Sequence, residues 1–337
     1  MAQKITNNFK MKKICIIFCG GTITMKHNKE GVLAPFYNAK DLLNFVPQLN
    51  QIANISVIQL ANVDSTNIEP KFWTVLAKTI KENADKYDGF VITHGTDTMA
   101  YTASAISFAL SGINKPIIFT GSQKPIFDVP SDATNNLINS VLTSLKVKTG
   151  IVIVFGTKIL RANRSTKISE STLDAFDSLM VAPIGTIALE PIINYQYKQK
   201  VNKFSDLFFD PNVVVIKITP GLSIKYLEHI ISADVHGLIF EGFGAGNIPK
   251  SLLSFMNKAK DHNLPIIILS QCIKGTSRMQ LYEVGKDALK YGVISGGDMT
   301  VEAASTKLMW ILAQTREIKK IKKLFLTNVA GEVTINL

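Results

Sequence analysis

The sequence is short of the groups on which much enzyme chemistry is built. Of its 337 residues, three are cysteine and five histidine. Cys15, Cys19 and Cys272 cannot make a paired framework, and "CIIFC" has no second pair at metal-ligand spacing. A reduced, cytoplasmic setting is the simpler inference. His27, His94, His229, His236 and His262 show no H-E-x-x-H or similar spacing, so no metal is expected. No G-x-S-x-G elbow marks a serine hydrolase. "GFGAGN", Gly242–Asn247, has its glycines as G-x-G-x-G rather than G-x-G-x-x-G, which reads as a tight turn and leaves no cofactor to expect. Repeats and low-complexity tracts are missing as well.

Long apolar runs are also lacking. No stretch approaches a membrane span, so no membrane partner is expected. The opening "KMKKICIIFCGG" mimics a secretion signal, but its apolar run is short and Gly-Gly-Thr follows where a small-residue cleavage site belongs. The charge balance is +11. Much of that excess lies in "KMKK" and "REIKKIKKL", which read as solvated helix faces. Arg/Lys stripes interleaved with aromatics are missing, so no nucleic acid is expected as a partner.

What remains is an ordinary globular composition, 46% hydrophobic and 19% charged, long enough for two cores. Apolar runs recur at "ICIIF", "ISVIQLA", "GFVIT", "PIIFT" and "GIVIVF", mostly without polar alternation. Such runs suit strands buried on both faces of a parallel sheet. Helical segments separate them. "NIEPKFWTVLAKTIKENADKYDG" offers Asn67 as N-cap, Pro70 in the first turn, and Phe72, Val75, Leu76 and Ile80 on one face. Strand and helix in alternation predict an α/β protein: a larger N-terminal, doubly wound, mostly parallel sheet domain (1–193) and a smaller C-terminal α/β domain (212–337). The polar and aromatic segment 194–211 is the candidate linker. "VVVIKIT", "GLIFEG" and "PIIILSQ" supply the second sheet.

Ligands bind open α/β sheets outside the carboxyl ends of the strands, and here those ends look alike. "CGGT" finishes at Thr22, "HGTDT" carries Gly95, Thr96 and Asp97, "TGSQ" carries Ser122, and "FGT" carries Thr157. "VDSTN" adds Asp64, Ser65 and Thr66. Glycine lets backbone approach a ligand closely, and a hydroxyl both donates and accepts. One such loop is ordinary turn chemistry; several on one edge predict a small polar site. A hydroxyl-lined site with neither metal nor histidine still permits threonine nucleophilic catalysis if a base takes the proton. "NRSTKISE" places Lys167 in a polar turn, where a solvated surface lysine is the plainer reading of the sequence alone.

These segments closely resemble the signatures of the bacterial-type L-asparaginase family. "FCGGTIT" puts Thr22 at the family's first catalytic threonine, and "GFVITHGTDTM" puts Thr96 and Asp97 at the second threonine and its carboxylate. "VDSTN" resembles the substrate-binding turn, with Ser65 and Thr66 beside the amino acid. "NRSTK" matches the segment of the catalytic lysine, and "TGSQKP" the loop whose Ser122 carbonyl lies near the substrate amide. "GVISGGDMTVEAASTKLMWILAQ" resembles the cytoplasmic, type I branch. The resemblance runs from about Lys13 to near the end.

It implies hydrolysis of L-asparagine to L-aspartate and ammonia through a threonine acyl-enzyme. Asp97 is then expected to hold the substrate ammonium and to balance Lys167, a pairing that a buried carboxylate also needs structurally. It further implies a homotetramer built as a dimer of dimers, with Tyr282 and Glu283 directed towards a neighbouring site. Two departures stand out. Cys19 takes the place of a usual threonine, and Val32 in "KEGVLAP" takes that of the mobile lid's tyrosine, for which nearby Tyr37 is the candidate substitute. The alternatives are the asparaginase-like subunit of a tRNA-dependent amidotransferase, which usually carries an extra N-terminal domain where only a short arm precedes "KICIIF" here, and a non-catalytic amino-acid sensor.

Overall fold

Apolar runs without polar alternation have to be covered on both faces, and the sheet they form is covered by helices on each side. The computed structural model describes residues 11–196 and 206–334. Its first unit contains β1 (Lys13–Gly20), β2 (Met25–His27), β3 (Leu33–Pro35), β4 (Asn54–Val63), β5 (Gly89–Thr93) and β6 (Pro116–Thr120). It continues with β7 (Gly150–Phe155), β8 (Lys158–Arg161), β9 (Thr166–Lys167), β10 (Phe176–Asp177), β11 (Gly185–Ile187) and β12 (Pro191–Ile193). Eight of these form one sheet in the order β12-β11-β8-β7-β6-β5-β1-β4. The run β4-β1-β5-β6-β7 is parallel, and β8, β11 and β12 extend it antiparallel.

The strand order locates the site. From β1 the chain goes to β4 on one side, then returns past β1 to β5 on the other. The direction of winding therefore reverses at β1, which puts the carboxyl ends of β1 and β5 at the place where open α/β sheets bind their ligands. Ile14–Phe18 of β1 are fully buried, as are Phe90, Val91 and Ile92 of β5.

The smaller unit has an all-parallel sheet of β13 (Val213–Lys217), β14 (Gly237–Gly242), β15 (Ile266–Ser270) and β16 (Ile294–Ser295). The helix Met99–Ala109 of the first unit packs against the helix Val301–Leu312 of the second, with Phe108 and Trp310 stacked 6.2 Å apart. Both helices are buried on nearly every side, as expected for helices between two sheets. Of the candidate linker, residues 197–205 lie outside the described residues. Its remainder is packed: Phe209 meets Trp73 edge-on, and Trp310 Nε1 donates to Asp206 O. "GFGAGN" is a tight turn, closed by a bridge between Phe243 and Asn247. In the helix Ile318–Leu326, Ile321 and Phe325 are buried while Lys319, Lys320, Lys322 and Lys323 face solvent.

Three local expectations change. The helix Pro70–Asn83 keeps Pro70 at its first position, but Asn67 belongs to the preceding 3-10 turn and Glu69 takes the cap position. Within that helix Trp73, Leu76, Ala77 and Ile80 turn inward, whereas Val75 is 43% exposed. The third change concerns "FGT". β7 passes into β8 by a hairpin instead of a helical crossover. Gly156 there adopts φ +56, with Asp174 Oδ1 2.1 Å from where a Cβ would stand.

Candidate active site

Glycines join the strand-end loops to one another. A Cβ on Gly21 would lie 2.5 Å from Gly95 N, so the loops after β1 and β5 touch backbone to backbone. Gly20 and Gly21 both have φ above 90°, a left-handed turn that a side chain resists. A Cβ on Gly95 would in turn stand 2.6 Å from Ser65 Oγ, and one on Gly121 would stand 2.3 Å from His94 O. Thr22, Ser65, Thr96 and Ser122 are therefore brought together by positions that exclude side chains. Thr98 adds a bond across the same region, its Oγ1 donating to Ser65 O at 2.8 Å.

Lys167 arrives from the other direction. The hairpin β7–β8 returns the chain, a short 3-10 turn (Ala162–Arg164) follows, and β9 pairs with β10 so that Lys167 lies opposite Phe176. Its Nζ donates to Thr96 Oγ1 at 2.7 Å and to Asp97 Oδ1 at 2.6 Å. The plain reading of a solvated lysine is thus replaced: the Lys167 side chain is 18% exposed and doubly engaged. Asp97 also differs from expectation. Its side chain is 57% exposed, so no buried charge has to be neutralised and its carboxylate remains open to a ligand's cation.

Thr96 Oγ1, accepting from Lys167, donates onward to Gln123 Oε1 at 3.3 Å. Gln123 Nε2 donates to Thr172 O at 3.2 Å, and Gln123 N is held by both oxygens of Asp132. This residue was missed in the sequence, where its only signal was adjacency to Ser122 in "TGSQKP".

Other candidates are placed differently. Thr22 opens a 3-10 turn and is half-buried. Ser65 is buried. Asp64 and Thr66 largely satisfy each other, since Asp64 Oδ1 accepts from Thr66 N and Thr66 Oγ1, both at 2.9 Å. Ser122 Oγ donates to Lys124 O at 2.6 Å. Thr157 Oγ1 is held by both oxygens of Asp174, which removes it from the converging set.

β2 and β3 form a hairpin whose tip carries Val32, 58% exposed. Tyr37 lies just beyond it. Its backbone N–H donates to Thr24 O, and its ring meets Phe36, Phe45 and Phe127. Among the described residues its hydroxyl makes no hydrogen bond to Thr22.

His94, between β5 and the Gly95 turn, is fully buried, and burial pushes its pKa down to about 4 while its bond to Gly95 O opposes that. It is a neutral core residue beside the site. Among the described residues no group of three or more His, Cys, Asp and Glu side chains stands ready to hold a metal ion. No helix there is long and apolar enough to cross a membrane.

The profile "Asparaginase, N-terminal" matches residues 13–200, and "Glutaminase/Asparaginase C-terminal domain" matches residues 212–325. The chain belongs to the asparaginase family. It is 37% identical over 329 residues to an L-asparaginase of Thermococcus kodakarensis, across 96% of this chain and 99% of that protein. The solved thermostable L-asparaginase from the same organism superposes with a TM-score of 0.88, over 96% of this chain and all of the other. L-asparaginase I from Vibrio cholerae, at 32% identity, gives 0.86 over 96% of this chain and all of that one. The chain is also 36% identical to a glutamyl-tRNA(Gln) amidotransferase subunit of Methanobrevibacter smithii, across 98% of this chain and 79% of that protein. In this asparaginase-family member, the two-unit α/β fold expected from the strand pattern is the fold of its structural neighbours.

Proposed function

We propose that this protein hydrolyses L-asparagine to L-aspartate and ammonia. The observation that carries the reading is the Lys167 Nζ, within hydrogen-bond distance of both Thr96 Oγ1 and Asp97 Oδ1, while Gly95, next to Thr96, meets the backbone of Gly21, next to Thr22.

Thr22 Oγ attacks the side-chain amide carbon while its proton passes into the Thr96–Lys167 pair. The C–N bond then breaks, and the nitrogen takes up that proton and leaves as ammonia. Water attacks the resulting ester on Thr22, aspartate departs and the hydroxyl is restored. A lysine can accept a proton only when its ammonium is destabilised, and a substrate ammonium placed on Asp97 does this by drawing away the carboxylate that balances Lys167. Asp97 is exposed enough to do so. Ser65 takes the α-carboxylate, the Ser122 carbonyl the amide N–H, and backbone N–H groups of the glycine-bearing loops the oxyanion. Asp64 and Thr66 shape the Ser65 loop, and Tyr37 supplies the lid hydroxyl. We place the protein in the cytoplasm, in keeping with its three free cysteines, and read it as a homotetramer from its family resemblance.

The amidotransferase relatives favour a second reading, in which the ammonia serves a partner protein. The purified chain separates them. Ammonia release from free asparagine without tRNA or partner supports the hydrolase; binding without turnover contradicts it and leaves the partner-dependent subunit or a sensor. Running asparagine and glutamine side by side fixes the preferred amide.

A further inference from the structure

Every reacting group proposed above belongs to the first unit, yet the segment that delivers Lys167 is bound along its length to the second. Arg161 Nη1 donates to Gly331 O at 3.0 Å, and Asn163 Nδ2 to Ala330 O at 2.9 Å. Arg164 grips Asp298 with two bonds of 3.0 and 2.6 Å and also donates to Glu332 O, both charged side chains being 1% exposed. Thr166, the neighbour of Lys167, donates through Oγ1 to Glu302 Oε1 at 2.5 Å.

We propose that Thr166 and Glu302 are positioning residues for Lys167, the second unit aiming the lysine through this one bond. The inference rests on the reading that Lys167 moves protons. In extended backbone, neighbouring side chains project to opposite faces. Ser165 is extended and Thr166–Lys167 is a strand of only two residues, so pairing with β10 alone fixes little of the rotation about its axis. Drawing Thr166 towards Glu302 turns Lys167 the opposite way, towards Thr96 and Asp97. Glu302 makes a firm anchor. It is buried in the first turn of the helix Val301–Leu312, the end of a helix that favours a carboxylate, and the Thr300 side chain caps that turn by accepting from Ala303 N. Burial pushes its carboxyl above the usual range, and the bond from Thr166 opposes that shift. A lysine stem has four rotatable bonds, and small misplacement of a proton-transfer group is costly.

Glue between the units is the competing explanation, and kinetics on the full chain separates the two. Thr166→Val removes the donor at constant shape and is expected to lower kcat about tenfold with KM for L-asparagine within about twofold. Thr166→Ser, which keeps the hydroxyl, is expected to restore kcat to within about threefold of the parent. Glu302→Leu and Glu302→Gln form a second pair, the glutamine retaining an acceptor oxygen and hence the activity. Wild-type kcat in Thr166→Val and Glu302→Leu overturns the proposal, as does a loss that tracks the thermal midpoint and that serine or glutamine fails to rescue. Lys167→Met is measured alongside. If it alone is inactive, only the positioning role fails; if it too is fully active, the role of Lys167 itself fails.

Discussion

Gly21 and Gly95 meet backbone to backbone, with 2.5 Å between the place of a Gly21 Cβ and Gly95 N. That contact sets the spacing of the loops holding Thr22 and Thr96. Gly95→Ala would drive a methyl to within 2.6 Å of Ser65 Oγ and 2.7 Å of Ser65 Cβ, so two loops have to part. The expected outcome is a loss of kcat/KM of about a hundredfold, with destabilisation of about 1–3 kcal/mol. Steady-state kinetics with thermal melts check it. An active Gly95→Ala protein would mean that the loops tolerate wider spacing.

Tyr37 is anchored by its ring among Phe36, Phe45 and Phe127 and by its N–H on Thr24 O. Tyr37→Phe keeps both anchors and removes one oxygen. Turnover is expected to fall at least about tenfold with the melting temperature unchanged. Unchanged kinetics would show that no hydroxyl from Tyr37 takes part.

His94 links stability to pH. Its folded pKa is depressed to about 4 from 6.5 by burial. The unfolded chain therefore binds the extra proton first as pH falls. Stability fully present above about 6.5 is lost as pH drops towards 4, by an amount on the order of 3 kcal/mol. His94→Gln is expected to flatten the fall of melting temperature between pH 7 and pH 4.5. An identical slope in the variant would place the acid sensitivity elsewhere.

Tyr282 is 54% exposed and the Glu283 side chain 83% exposed in the single chain, where a neighbouring copy can reach them. Light scattering is expected to return the mass of a tetramer. A monomer with full activity would contradict both the assembly and the contribution of these residues.

Much of the site was legible because it depends on strand ends, and strand ends are written as an apolar run followed by glycine and a hydroxyl. Thr22, Ser65, Thr96 and Ser122 obey that grammar and converge. Thr157 obeys it too and does not converge, because whether β7 continues into a crossover or a hairpin depends on its partner β8, and the deciding contact, Gly156 against Asp174, spans loops apart in sequence. Asp64 and Thr66 lie in the same loop as Ser65, but their polar groups close on each other. Gln123 left no signal beyond its place beside Ser122, and Glu302 left none: one is joined to Thr96 across 27 positions and the other to Thr166 across 136. Val75 misled because a helix of mixed polarity, packed on one side by Trp73 and Leu76, leaves neighbouring apolar positions outside.

The bond pair from Lys167 to Thr96 and Asp97 is the point on which the proposed chemistry turns. Lys167→Met removes the ammonium at similar length. Steady-state ammonia release and calorimetric binding of L-asparagine, measured on the same folded protein, are expected to show kcat reduced at least about a thousandfold with Kd within about fivefold of the parent. Near-normal turnover in that variant would show that Lys167 is a bystander and that the proton moves by another route.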